Sequence, residues 1–195
     1  MIYKDIILGS TPSKFVVMNE KELKARLGKG INIDDEIVKK HINIYKEKAS
    51  FRFAYTKIPL KIENEMCKFE NETINSNSLY AVLKDCKEVI LLAVTSGIEI
   101  DKLISRTSIQ NPSETYYIDA IASAGIESYM DYINEIICQE FDVTKRFSPG
   151  YSDFPIEFQT YLLNRLSAQE NIGIALSKDY LMIPTKSITA VMGIK

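Results

Sequence analysis

The chain has 195 residues, 46% of them hydrophobic and 26% charged, with a formal net charge of −2. That mix is ordinary for one globular domain with a sizeable core. The near-neutral balance excludes nucleic-acid binding through bulk charge. The longest apolar run, residues 89–94, is far too short to span a bilayer.

The N-terminus carries Asp5 early and too short an apolar run for a signal peptide, so a cytoplasmic location is expected. Cys67, Cys86 and Cys138 show no CxxC spacing and read as reduced thiols. Cys138, in an apolar stretch, reads as a core residue. The single histidine, His41, sits in Lys39-Lys40-His41-Ile42 and reads as a surface residue. One histidine excludes zinc chemistry of the HExxH kind, and nothing supports a Ser-His-Asp triad.

Residues 1–20 alternate loosely and predict one or two short strands. Asn19 opens a short charged helix that ends near Gly28. Gly28-Lys29-Gly30 lacks the Lys-Ser/Thr pair of a phosphate loop and reads as a turn. A second helix starts at Ile33-Asp34-Asp35-Glu36 and runs to about Ala49, with carboxylates in its first turn and Lys46 and Lys48 in its last, as the macrodipole favours. Residues 50–58 alternate aromatic or apolar with polar, the pattern of a half-buried strand, and Pro59 places that strand near a sheet edge. Asn71-Glu72-Thr73 fits a glycosylation sequon, which a cytoplasmic protein does not use.

Ser76 leads a helix to about Asp85. Residues 88–95 are nearly continuous apolar and β-branched, which predicts a central strand. Ser96-Gly97 then turns into a short helix over 99–105. Asn111-Pro112-Ser113-Glu114 is a helix start, with Asn as N-cap and Pro at the first position. This helix runs to about Phe141, with an apolar stripe of Ile118, Ala122, Gly125, Tyr129, Ile133 and Ile136. Gly125 costs helix propensity, so a close packing partner is expected against it. The opposite face carries Ala120, Ser123, Ala124, Glu127, Asp131 and Asn134, and on spacing alone Glu127 reads as solvated. Pro155 starts a further helix with Phe158, Leu162 and Leu166 inward. Residues 171–176 read as a strand, 177–180 as a turn, and 181–192 as a last strand broken by Pro184. This mixed order predicts an α+β domain with a largely antiparallel, bent sheet flanked by helices.

Between the two helical patterns lies Arg146-Phe147-Ser148-Pro149-Gly150-Tyr151. Pro-Gly is the signature of a type II turn, because Gly150 takes positive φ without steric cost. Arg146 beside it offers a fork of donors suited to a carboxylate or phosphate. The plain reading is a surface turn with a flanking Arg.

This stretch, with Asp153-Phe154-Pro155, Gln159, Leu163, Leu166, Ile172-Gly173, Leu176, Met182, Pro184 and Lys186-Ser187, resembles the activation domain of cobalamin-dependent methionine synthase. The family carries an Arg-x-x-x-Gly-Tyr motif that binds S-adenosylmethionine (AdoMet). The upstream run over residues 120–129 resembles the family's helix with a Glu before a small residue and an aromatic. The resemblance covers about residues 87–195 of an expected single domain, and is weak over 1–86. It implies that Arg146 holds the AdoMet carboxylate and that the Ser148 backbone meets the adenine. Gly150 and Tyr151 shape the pocket wall, and Glu127 contacts the amino group or ribose. The small residues beside Glu127 then make room for a ligand or partner.

The implied activity is repair. One electron from a flavodoxin- or ferredoxin-like donor, coupled to methyl transfer from AdoMet, restores methylcobalamin from inert cob(II)alamin. Cobalt is the nucleophile, so no general base is required, in agreement with a chain poor in histidine. The chain has no Asp-x-His-x-x-Gly cobalamin motif. The resemblance therefore implies a free-standing activation protein whose cobalamin is carried by a methionine synthase or other corrinoid protein. The family's further AdoMet contacts beyond the position of Lys195, and its acidic contact from the N-terminal part, find no counterpart. A corrinoid-protein interaction module without AdoMet binding is the alternative. An ordinary AdoMet-dependent methyltransferase is disfavoured, since no glycine-rich strand–turn–helix is present.

Overall fold

The structure, a computed structural model, describes residues 5–195. The first four positions of the strand reading for residues 1–20 lie outside them. The fold is α+β, with a six-stranded antiparallel sheet, a separate two-stranded ribbon and seven α-helices among the described residues.

Strand β1 (Ile7–Thr11) is followed by a 3-10 turn at Ser13–Phe15, so Val16 and Val17 are not in a strand. Helix α1 (Glu20–Leu27) is capped by Asn19, whose Oδ1 accepts from the N–H groups of Lys21 and Glu22. It stops at Gly28, where φ is +77°. Helix α2 (Glu36–Lys48) comes next.

Strand β2 (Phe51–Glu63) corrects the edge expectation. It pairs with β5 (Glu88–Thr95) along one side, and on its other side with β1 over Phe51–Tyr55 and with β3 (Met66–Phe69) over Leu60–Glu63. The Leu60 N–H bonds across to Lys87 O at 2.8 Å, so the position of Pro59 that lacks an N–H faces the other side. There it falls between Ile7 at the start of β1 and Phe69 at the end of β3 and costs no ladder bond. Strand β4 (Glu72–Ile74) completes a hairpin with β3. The turn between β3 and its neighbour β2 is made by Asn64 and Glu65, both at positive φ.

Helix α3 (Asn77–Leu83) is capped by Ser76, whose hydroxyl accepts from Leu79 N–H. Strand β5 lies between β2 and β8 (Ser187–Ile194) and is buried on both faces. Ile90, Leu92 and Val94 point to one cluster, with Phe51, Tyr129 and Met192. Val89, Leu91 and Ala93 point to the other, with Leu79, Phe154, Phe158 and Leu162. Two covered faces explain why an antiparallel strand reads as a continuous apolar run.

Helix α4 (Ile98–Gln110) extends past the expected end. Helix α5 (Pro112–Glu140) has Pro at its first position. Asn111 gives it no side-chain cap; its Oδ1 accepts from the Ser113 hydroxyl instead. α5 packs against α1, α2 and α4 as well as the sheet. The expected stripe is buried except at Ile136, which is exposed; Ile137 takes the inward position. Gly125 meets its partner: the wholly buried Tyr45 ring of α2 lies against it, and Tyr45 Oη is 2.7 Å from Ser96 Oγ. Burial pushes the Tyr45 hydroxyl far above its usual pKa, and the Ser96 bond offsets only part of that.

Helix α6 (Phe158–Arg165) keeps Phe158 and Leu162 inward, and Leu166 just beyond its end is buried too. A short helix α7 (Ala168–Ile172) stands where a strand was expected, and ends at Gly173 with φ +75°. Only Ala175–Leu176 (β6) is extended, and it pairs with Met182–Ile183 (β7). A cis peptide precedes Pro184. No described helix is long and apolar enough to cross a membrane.

Two further expectations are corrected. His41 is buried, not on the surface: Nδ1 lies 2.7 Å from Ile37 O and Nε2 lies 2.9 Å from Glu114 Oε2. Cys138 is exposed, while Cys67 and Cys86 are buried. Burial pushes the Cys67 thiol up to about 11.

Candidate functional site

The outer edge of β8 positions the Arg146 segment. Phe147 N–H donates to Val191 O at 2.9 Å and Val191 N–H donates back to Phe147 O at 2.8 Å. Thr144 N–H donates to Gly193 O at 2.8 Å further along the same edge. After Phe147 the chain leaves the edge. Tyr151 N–H closes the turn on Ser148 O at 3.2 Å, with Gly150 at φ +87°, as a type II turn requires. Backbone groups alternate along a strand, so the N–H and C=O of Thr189 point the same way as those of Val191, past the place where the Arg146 segment turns off.

Asp153 and Phe154 pin the turn in place. The Asp153 carboxylate accepts from Ser76 Oγ at 2.7 Å, Asn77 N–H at 2.7 Å and Ser78 N–H at 3.2 Å, at the start of α3. These bonds, the Ser76 hydroxyl first, hold its pKa down to about 2. Phe154 is buried and stacks on Phe147 with ring centroids 5.9 Å apart.

Between this turn, β8, α6 and β7 lies a cleft of about 420 Å³, within the size range of small-molecule sites. Glu127, Arg146, Ser148 and Tyr151 line it, four of the five residues expected at the site. Tyr151 stands at the rim, 65% exposed. Gly150 is not in the lining; it makes the turn, and a methyl group there would fall 2.8 Å from Ile156 Cδ1.

Arg146 is engaged by α5. Its Nη2 donates to Glu127 Oε2 at 3.0 Å and its Nη1 to Asp131 Oδ1 at 2.8 Å. Glu127 Oε1 also lies 3.7 Å from Arg26 Nη2 of α1. Glu127 is thus half-buried and paired, not a solvated surface residue. The expectation that small residues beside it leave room is not met: Ala120 and Ala124 are buried in the core, and Ser123 Oγ accepts from Lys186 Nζ at 2.8 Å.

Sequence reasoning missed the other walls as site residues. Gln159 of α6 is only 6% exposed, and its Oε1 has no hydrogen-bond partner among the described residues. Met182, Ser187, Ile188 and Thr189 complete the lining. The hydroxyl of Ser187 donates to Pro184 O at 2.8 Å and lies 2.9 Å from Thr95 Oγ1. Thr185 binds Asp101 through both N–H (2.8 Å) and Oγ1 (2.9 Å), which ties the segment before β8 to α4. No group of His, Cys, Asp and Glu with metal-holding geometry occurs among the described residues.

No protein-family model matches the chain, and no curated protein matches it. Among solved structures it is similar to the crystal structure of the MetH reactivation domain bound to AdoHcy (S-adenosylhomocysteine), with a TM-score of 0.71 and 14% sequence identity. The likeness covers 97% of this chain and 78% of that one, so it includes the N-terminal part, where the sequence resemblance is weak. The chain has the fold of the MetH reactivation domain.

Proposed function

We propose that the chain is an AdoMet-binding reactivation protein that supports reductive methylation of inactive cob(II)alamin on a separate cobalamin-dependent methionine synthase or other corrinoid protein. The observation that carries this reading is the placement of Arg146, Ser148, Tyr151 and Glu127 around one cleft, in a fold whose solved relative holds AdoHcy. The residues fit the group. Arg146 offers two-pronged recognition of a carboxylate. Glu127 is an acceptor for an ammonium or ribose hydroxyl. Gln159, a buried amide whose Oε1 lacks a donor, also lines the cleft. Tyr151 at the rim presents an aromatic face to a cation.

AdoMet supplies the methyl group, and the partner's reduced cobalamin supplies the nucleophile. The task left to this chain is to hold the donor in one orientation at an open cleft, an entropic contribution. The electron comes from a flavodoxin- or ferredoxin-like donor. The engagement of the Arg146 fork by Glu127 and Asp131 favours a second reading, a corrinoid-protein interaction module without AdoMet binding. Calorimetry with AdoMet separates the two: absence of heat at millimolar ligand removes the first. Arg146→Ala is expected to weaken binding by about 1.5–3 kcal/mol, the range for a lost hydrogen bond to a charged group. Mixing the protein with AdoMet, a reductant and a cob(II)alamin-loaded candidate partner tests the activity, read as the methylcobalamin spectrum. No spectral change with any such partner, despite AdoMet binding, would reject the reactivation role.

A further inference from the structure

Glu127 and Asp131 stand four residues apart on α5, so one helix face presents both carboxylates to the Arg146 fork. They are not equivalent. Glu127 is gripped at both oxygens, by Arg146 at 3.0 Å and by Arg26 at 3.7 Å; its side chain is 28% exposed and lines the cleft. Asp131 pairs, among the described residues, with Arg146 alone, at 2.8 Å. Its side chain is 51% exposed and lies outside the cleft lining. One arm of the fork is therefore committed to a group outside the cleft.

We propose that Asp131 is a built-in competitor for the anionic end of the ligand, a specificity device that rests on the reading of this cleft as an AdoMet site. A guanidinium grips a carboxylate best through two parallel N–H bonds from one edge. At the Nη1–Nη2 edge, a ligand carboxylate gains that grip only by taking Nη1 from Asp131. Asp131 is the member that yields, because water replaces its lost partner at an exposed position, whereas Glu127 is held a second time by Arg26. Ligands with no carboxylate at that point leave the pair untouched and gain nothing from Arg146. Asp131 thus lowers affinity for carboxylate-bearing ligands in general and reserves the fork for those with enough other contacts to displace it.

Calorimetric titration of the wild type and Asp131→Asn with AdoHcy and with adenosine tests this. Asparagine keeps the size of the side chain and removes the charge. AdoHcy has an amino-acid end without net charge, so loss of long-range attraction does not mask the effect; adenosine lacks that end. The expected result is AdoHcy binding about 2- to 5-fold tighter in Asp131→Asn, as befits an exposed ion pair, with adenosine affinity unchanged. Equal or weaker AdoHcy binding overturns the proposal. An equal gain for adenosine also overturns it, since that marks a change in cleft shape. If neither protein binds AdoHcy, the AdoMet reading fails and the proposal falls with it; binding by wild type without gain in the variant removes the competitor alone.

Discussion

Substitution of Gly125 by Ala tests whether α5 is placed by close packing. A methyl group built at Gly125 falls 2.5 Å from Tyr45 Cζ and from its hydroxyl oxygen, and closer still to Cε1. The atoms in its way belong to a ring that is 1% exposed, edge-on to Phe51 and bonded to Ser96 Oγ at 2.7 Å. No flexible end is available to move aside. Overpacking of this kind costs about 1–3 kcal/mol. In an exposed helix the same change would gain about 1 kcal/mol in propensity. The net expectation is a loss of up to about 2 kcal/mol, which for a domain of this size lowers Tm by up to roughly 8 °C. Thermal or urea unfolding followed by circular dichroism measures it. A second variant, Gly125→Ala with Tyr45→Leu, separates the clash from the propensity term. There the alanine should cost less than in the wild-type background, since the two sites share one contact. A raised Tm for Gly125→Ala alone would refute the packing argument.

Asp153 sets an acid limit. Its pKa is held below the unfolded value, so its contribution is full above about pH 4 and is lost as pH falls toward about 2. Asp153→Asn should lower Tm at neutral pH and flatten the fall of stability across that window; an unchanged acid profile would remove the assigned role. Gly150→Ala is strained on two counts, positive φ and the approach to Ile156, and should cost about 1–2 kcal/mol. It should also weaken AdoHcy binding by shifting Ser148 and Tyr151, and calorimetry reads that directly. Among the thiols, Cys138 should react with a thiol reagent in the folded protein, while Cys67 and Cys86 react only on unfolding; rapid labelling of Cys67 under native conditions would contradict its burial.

The elements that local chemistry specifies were legible. Helices open at Asn19 and Ser76 as expected, Gly28 ends one, and residues 88–95 form the central strand. Pro149-Gly150 makes the turn its dipeptide predicts. The failures have distinct causes. The β3–β4 hairpin is short, rich in charge, and the preceding turn at Asn64 and Glu65 adopts positive φ without a glycine to announce it. Pro59 misled because a missing N–H marks an edge only when a neighbour needs it. His41 looked like a surface residue because Glu114, its partner, belongs to another helix. Ile172 and its neighbours carry an apolar alternation that suits a strand, yet they close a single helical turn.

At the site the division is the same. The sequence by itself determined a rigid turn with a guanidinium beside it, because Pro149, Gly150 and Arg146 act through their own backbone and side-chain chemistry. It also determined, through resemblance, the fold that the solved MetH reactivation domain shares. Only the tertiary structure decided that Glu127 and Asp131 meet Arg146, that Arg26 secures Glu127, and that Gln159, Met182 and Thr189 wall the cleft. Those neighbours come from α1, α5, α6, β7 and β8, and no local spacing relates them. They are brought together when Phe147 pairs with Val191 on the edge of β8 and the chain then turns away, leaving the rest of that edge to the cleft.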